Sequence, residues 1–183
     1  MTARIVILNG AGSAGKSSIA KALQEITATP FLHFSMDRFC EMLPSAYWNH
    51  PDGFRFVGGT EAGKPSIAIE TGPVGLRLMD GMRHAIAAVA DCGNDLIVDD
   101  VLLGDEQGEY RRLLAPYTVH WVGVHCSLAV MEAREAARGD RLIGLARWQF
   151  PRVRAGRNYD LEIHTDDLPP LDCARLIRDR FGL

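Results

Sequence analysis

Near its start the chain carries an uninterrupted apolar run, Ile5-Val6-Ile7-Leu8, then a glycine-rich turn from Gly10 to Gly15, then the amphipathic stretch Ile19 to Ile26. An apolar run without alternation reads as a strand buried on both faces, as in a parallel sheet covered by helices. A strand that passes through a tight turn straight into a helix is the first half of a β-α-β unit. This opening therefore commits the chain to an α/β architecture.

The turn has its own chemistry. Gly10-Ala11-Gly12-Ser13-Ala14-Gly15-Lys16-Ser17 fits G-x-x-x-x-G-K-[ST], the phosphate-cradling loop of P-loop NTPases. Glycines let backbone N–H groups turn inward, and the N-terminus of the following helix adds partial positive charge, so Gly10 through Ser18 form an expected ATP-phosphate site. Lys16 would reach the β- and γ-phosphates, and the Ser17 hydroxyl would face Mg²⁺. The same glycines, Gly10, Gly12 and Gly15, also satisfy G-x-G-x-x-G, with Asp37 downstream as a ribose-binding acid, so a dinucleotide-dependent oxidoreductase is a rival. Lys16-Ser17 separates the two, because a dinucleotide-binding turn has no use for that pair.

At 183 residues, 47% hydrophobic and 23% charged, the chain is long enough to bury a two-sided sheet as a single domain over 1–183. A formal charge of -3 gives no basic footprint for nucleic acid or anionic membrane. No charged-then-apolar leader and no membrane-length apolar run is present, so a cytoplasmic location is expected. Cys40, Cys92, Cys126 and Cys173 are scattered without a C-x-x-C pair, which favours reduced thiols over disulfides or zinc.

Thr29-Pro30 ends the first helix, and Phe31 to Met36 reads as a second strand ending at Asp37. Asp37 can be the N-cap of a short helix, or a base placed at the carboxyl end of a strand, where ligands of open α/β sheets bind. The stretch 44–72 mixes glycine and proline with Tyr47, Trp48, Phe54 and Phe56, and reads as a long acceptor-binding loop; Trp48 and Phe54 are its candidate contacts. Helical spacing from Pro73 to Asp91 marks a packing helix with Arg77, Asp80, Arg83 and His84 on a solvated face, where Arg77 and Asp80 lie one turn apart.

Asp95-Leu96-Ile97-Val98-Asp99-Asp100 is a buried strand ending in two carboxylates. Strand alternation sends them to opposite sides: Asp99 is expected at Mg²⁺ with Ser17, and Asp100 toward the acceptor or a loop N–H. A polar helix from Glu106 to Leu114, a strand from Thr118 to Val124, a helix from Leu128 capped by Ser127, a strand from Leu161 to Thr165 and a last helix from Leu171 to Phe181 complete the alternation. His120 and His125 fall on opposite faces and read as packed, not metal-bound. Arg134, Arg138 and Arg141 recur at intervals of four and three, so one face of an arginine-rich lid around 134–150 would present several guanidinium groups.

Val6 through the glycine-rich loop, Asp37, Asp99-Asp100-Val101-Leu102 and Arg134-Glu135-Ala136-Ala137-Arg138-Gly139-Asp140-Arg141 together resemble the chloramphenicol phosphotransferase family, with Trp121 to Val124 and Tyr159 to Glu162 extending the match. The resemblance implies a three-layer α/β/α P-loop kinase fold with a parallel five-stranded sheet in the order 2-3-1-4-5. It implies ATP-dependent phosphorylation of a small-molecule hydroxyl, with chloramphenicol (antibiotic inactivation) as the first acceptor. It also implies Asp37 as base, and Arg134, Arg138 and Arg141 beside the phosphates as catalytic groups with Lys16. Two departures fall on the acceptor side: Tyr47 to Gly63 has little to align, and Arg154 stands where a family histidine is expected.

The expected partners are thus ATP, Mg²⁺ and a hydroxyl-bearing small molecule, with neither nucleic acid nor membrane, and self-association left open. The remaining rivals are a kinase for another metabolite or nucleotide, the oxidoreductase, and a non-catalytic nucleotide switch. The switch is disfavoured because no N-K-x-D base-recognition run occurs.

Overall fold

The computed structural model describes residues 2–139 and 142–183. Five parallel strands form the central sheet: β1 (Arg4–Asn9), β2 (Phe31–Ser35), β5 (Asp95–Asp100), β6 (Thr118–His125) and β7 (Leu161–His164), in the order β2-β5-β1-β6-β7. Counting only sheet strands, this is 2-3-1-4-5. A dinucleotide-binding sheet instead sets its first strand beside its second, so the topology removes the oxidoreductase rival.

Burial explains the apolar runs. Ile5, Val6, Ile7 and Leu8 of β1 are all fully buried, because β5 and β6 flank the strand and helices cover both faces. Val6 and Leu8 join Ile97 and Val122 beneath α1 (Lys16–Ile26), α5 (Leu128–Arg138) and α7 (Pro170–Phe181). Ile5 and Ile7 join Leu96 and Val98 beneath α3 (Pro73–Asp91) and α4 (Glu106–Leu113). Each such side chain contributes about 1.5–3 kcal/mol on burial, so the strand bearing the loop is among the most firmly held parts of the fold.

The stretch read as an acceptor loop is largely a β-hairpin, β3 (Phe54–Glu61) and β4 (Lys64–Thr71), whose antiparallel register pairs Phe54 with Thr71 and Glu61 with Lys64. Ala62 (φ 50°) and Gly63 (φ 75°) make its two-residue turn, as the right-handed strand twist requires. The hairpin packs against α6 (Leu145–Arg152), and the Ile67 N–H donates to the Gly144 carbonyl (3.1 Å) just ahead of that helix.

Two smaller readings are corrected. Asp37 lies in the first turn of α2 (Met36–Cys40), and Ser35 holds the cap position. Arg83 is not on a solvated face: it is buried and forms an ion pair with Glu109 at 2.8 Å, while Asp80 pairs with Arg83 and His84 instead of Arg77. His120 stacks on Phe181 with centroids 4.1 Å apart, and His125 bonds Glu162 at 2.7 Å, so both are packed histidines. All four cysteines are free thiols, and no described helix is long and apolar enough to cross a membrane.

Candidate active site

The glycine-rich loop hangs between β1 and α1, above the carboxyl edge of the sheet. Gly10 is forced by packing: a Cβ there would sit 2.4 Å from the Val124 carbonyl oxygen of β6. Farther along, Ser13 (φ 63°) and Gly15 (φ 100°) both adopt left-handed backbone, the alternation that turns successive N–H groups into one anion-binding concavity. The eleven residues of α1 start at Lys16 with no side-chain cap, so the helix N-terminus is directed at the same concavity.

Lys16 is only 6% exposed. Its ammonium donates to the carbonyls of Gly10 (2.8 Å) and Ala11 (3.1 Å) and lies 3.7 Å from Asp99 Oδ1. The Ser17 hydroxyl donates to Asp99 Oδ2 at 2.5 Å. His33 Nε2 stands 3.7 Å from the same oxygen. Burial alone would raise the Asp99 pKa, but Lys16, His33 and the Ser17 hydroxyl outweigh it and hold the carboxyl below its ordinary value.

Ser17 and Asp99 thus offer a hydroxyl and an ionised carboxylate oxygen side by side, which suits a hard cation. Among the described residues no three His, Cys, Asp or Glu side chains converge as a metal set. Magnesium commonly takes one or two protein oxygens and completes its shell with phosphate and water, so the pair fits it. Asp100, fully buried, turns the other way: it accepts from its neighbour's Val101 N–H (2.7 Å) and from the Tyr110 hydroxyl (2.8 Å), and burial pushes its carboxyl upward.

A single cleft of about 1290 Å³ runs from the loop to the hairpin. Lys16, Ser17, Asp99, Arg134 and Arg138 line it together with Asp37, Trp48, Phe54, Phe56 and Asp100, so residues far apart in sequence face one space. Trp48 stacks on Phe56 with centroids 6.1 Å apart, and it is 38% exposed beside the buried Phe54. Arg134 is a fixed group: its guanidinium donates to the Thr165 carbonyl (2.6 Å) and hydroxyl (3.2 Å), while that hydroxyl donates to the Ala14 carbonyl of the loop (2.8 Å). Arg141 lies outside the described residues.

The family described as chloramphenicol phosphotransferase-like protein matches residues 3–182. The chain belongs to that family. A Mycobacterium tuberculosis protein described as "Putative O-phosphotransferase" is 31% identical over 184 residues, spanning 97% of this chain and 82% of its own length. Among solved structures, the M. tuberculosis APS kinase CysC in complex with AMPPNP and APS matches with a TM-score of 0.69 at 16% identity, covering 100% of this chain and 99% of its own. The tunicamycin resistance protein of Deinococcus radiodurans matches with a TM-score of 0.66 at 18% identity, covering 99% and 96%. At such identities the structural likeness concerns the fold, that of P-loop kinases. Family membership makes the protein a kinase-type phosphotransferase.

Two cleft residues escape sequence reasoning in this family member. Arg83 hides in the polar stripe of a long helix, and its burial depends on Glu109 of another helix. Gln149 belongs to no motif, yet its Oε1 accepts from the Gly12 N–H of the loop at 2.6 Å across 137 positions of sequence. Only tertiary contact reveals either one.

Proposed function

We propose that the protein transfers the γ-phosphoryl group of ATP to a hydroxyl of an apolar small molecule, with the primary hydroxyl of chloramphenicol or a close relative as first candidate. The observation that carries this reading is the shared cleft. One cavity is lined by the phosphate loop, by Asp37 and by an aromatic wall of Trp48, Phe54 and Phe56. Such a wall suits an apolar or ring-bearing body, and the carboxylate suits its hydroxyl.

In the mechanism, Asp37 accepts the hydroxyl proton as the acceptor oxygen forms its bond to the γ-phosphorus and the bond to the ADP oxygen breaks. Negative charge spreads over the transferred group, and Lys16, Arg134 and Arg138, which line the cleft, balance it, with Arg141 of the same sequence run assigned the same role. Ser17 and Asp99 would hold Mg²⁺, which when bound would supply positive charge to offset that of the phosphates. Positioning carries most of the rate, since the protein forms no covalent bond to the phosphoryl group.

The test is direct. Purified protein with ATP and Mg²⁺ is offered chloramphenicol, and the product is weighed by mass spectrometry. A gain of one phosphate, absent in Lys16→Ala, supports the reading. Transfer to other alcohols in a panel, with chloramphenicol untouched, keeps the phosphotransferase and discards the drug.

A further inference from the structure

Helix α6 is poorly equipped to stand alone. It has eight residues, contains Pro151, and its N-cap Gly144 provides no side-chain cap. The missing cap comes from α5: the Glu135 carboxylate, only 3% exposed, accepts from the Gly144 N–H (2.8 Å) and the Ala146 N–H (2.9 Å). Buried carboxylates are retained where their lone pairs are filled, and here two otherwise orphaned helix donors fill them. On the far side the Gly144 carbonyl accepts from Ile67 of the hairpin. The helix is therefore clamped between the arginine-bearing helix and the acceptor hairpin.

The clamp presents Gln149 to the phosphate loop. Gln149 is 3% exposed, lines the cleft, and takes the Gly12 N–H on Oε1 at 2.6 Å. A backbone N–H can only donate, so the carboxamide oxygen must face the loop; the side-chain orientation is dictated, not free. Resting on the phosphotransferase reading, we infer that Gln149 is a positioning residue for the nucleotide: by holding Gly12 it keeps the loop in its phosphate-receptive form before ATP arrives. Without that acceptor, Gly12 loses its partner, and the loop must be ordered by the nucleotide itself. Pre-organisation of this kind appears in affinity, not in the chemical step.

Gln149→Met is the decisive substitution, because methionine keeps the length and shape of glutamine and removes the acceptor oxygen. Calorimetric titration with AMPPNP and Mg²⁺ is expected to show about tenfold weaker binding, the effect of one unsatisfied buried donor. The KM for ATP should rise in parallel, while kcat at saturating ATP stays within about threefold of wild type. Hydrogen–deuterium exchange of the loop peptide in nucleotide-free protein should speed up. Should Gln149→Met fail to fold, Gln149→Asn, whose carboxamide is too short to reach Gly12, gives the same readouts. A folded variant that binds AMPPNP within twofold of wild type, with unchanged loop exchange, overturns the inference. If the wild type itself binds no AMPPNP, the phosphate-loop reading falls and takes this inference with it.

Discussion

Ser17 and Asp99 are in direct contact, hydroxyl to carboxylate at 2.5 Å, although 82 positions separate them in sequence. The contact exists because β1 and β5 are neighbours in register, Leu8 opposite Asp99, so the strand-end acid arrives beside the first turn of α1. Asp99→Asn keeps the shape and removes the charge. Turnover at fixed ATP should fall by about a hundredfold or more, and the Mg²⁺ concentration for half-maximal rate should rise. A metal titration of the reaction rate checks both; an unchanged Mg²⁺ requirement removes Asp99 from the metal site.

Gly10 is a packing constraint whatever the loop binds. The Cβ of Gly10→Ala would press into the Val124 carbonyl at 2.4 Å, where backbone on both sides leaves little room to give. Stability should drop by roughly 3 kcal/mol, the range of severe overpacking in a close-packed interior. The urea midpoint of unfolding reads this, with no nucleotide present.

Much of this frame was legible in the sequence, for identifiable reasons. Ile5 to Leu8 and Leu96 to Val98 are unbroken apolar runs because both sheet faces are covered, and a pattern of that kind survives in one dimension. The hairpin did not survive. Its turn is Ala62-Gly63, where alanine gives no warning of a left-handed φ, and Gly58, Gly59 and Pro65 blur the alternation of its strands. Arg83 and Gln149 were missed because each owes its burial to partners in distant elements, Glu109 for one and Gly12 for the other.

Trp48 should affect one substrate only. It lines the cleft, stacked on Phe56 of the hairpin. Trp48→Ala should raise the acceptor KM about tenfold, equivalent to about 1.4 kcal/mol of lost aromatic contact, and leave the KM for ATP unchanged. Steady-state kinetics with each substrate varied in turn separates the two.

The pH dependence of stability has a histidine component. Burial, reinforced by Arg154 and His164 and opposed by Glu162, holds His125 below the ordinary imidazole value. A depressed pKa means that the unfolded chain binds the proton first. Stability is therefore full above about pH 6.5 and declines as pH falls toward the folded-state value. Urea midpoints measured from about pH 7.5 down to about pH 5 should fall, and His125→Gln should flatten part of that decline.

Asp37 and the glycine-rich loop line one cleft, and Asp37→Asn tests most directly whether its carboxylate takes the acceptor's proton. AMPPNP affinity and the rate of phosphate transfer to the acceptor are measured on the same preparation. Affinity within about twofold of wild type, with transfer reduced by about a hundredfold or more, is the predicted result. Transfer at the wild-type rate would contradict it and send the search for the base elsewhere in the cleft.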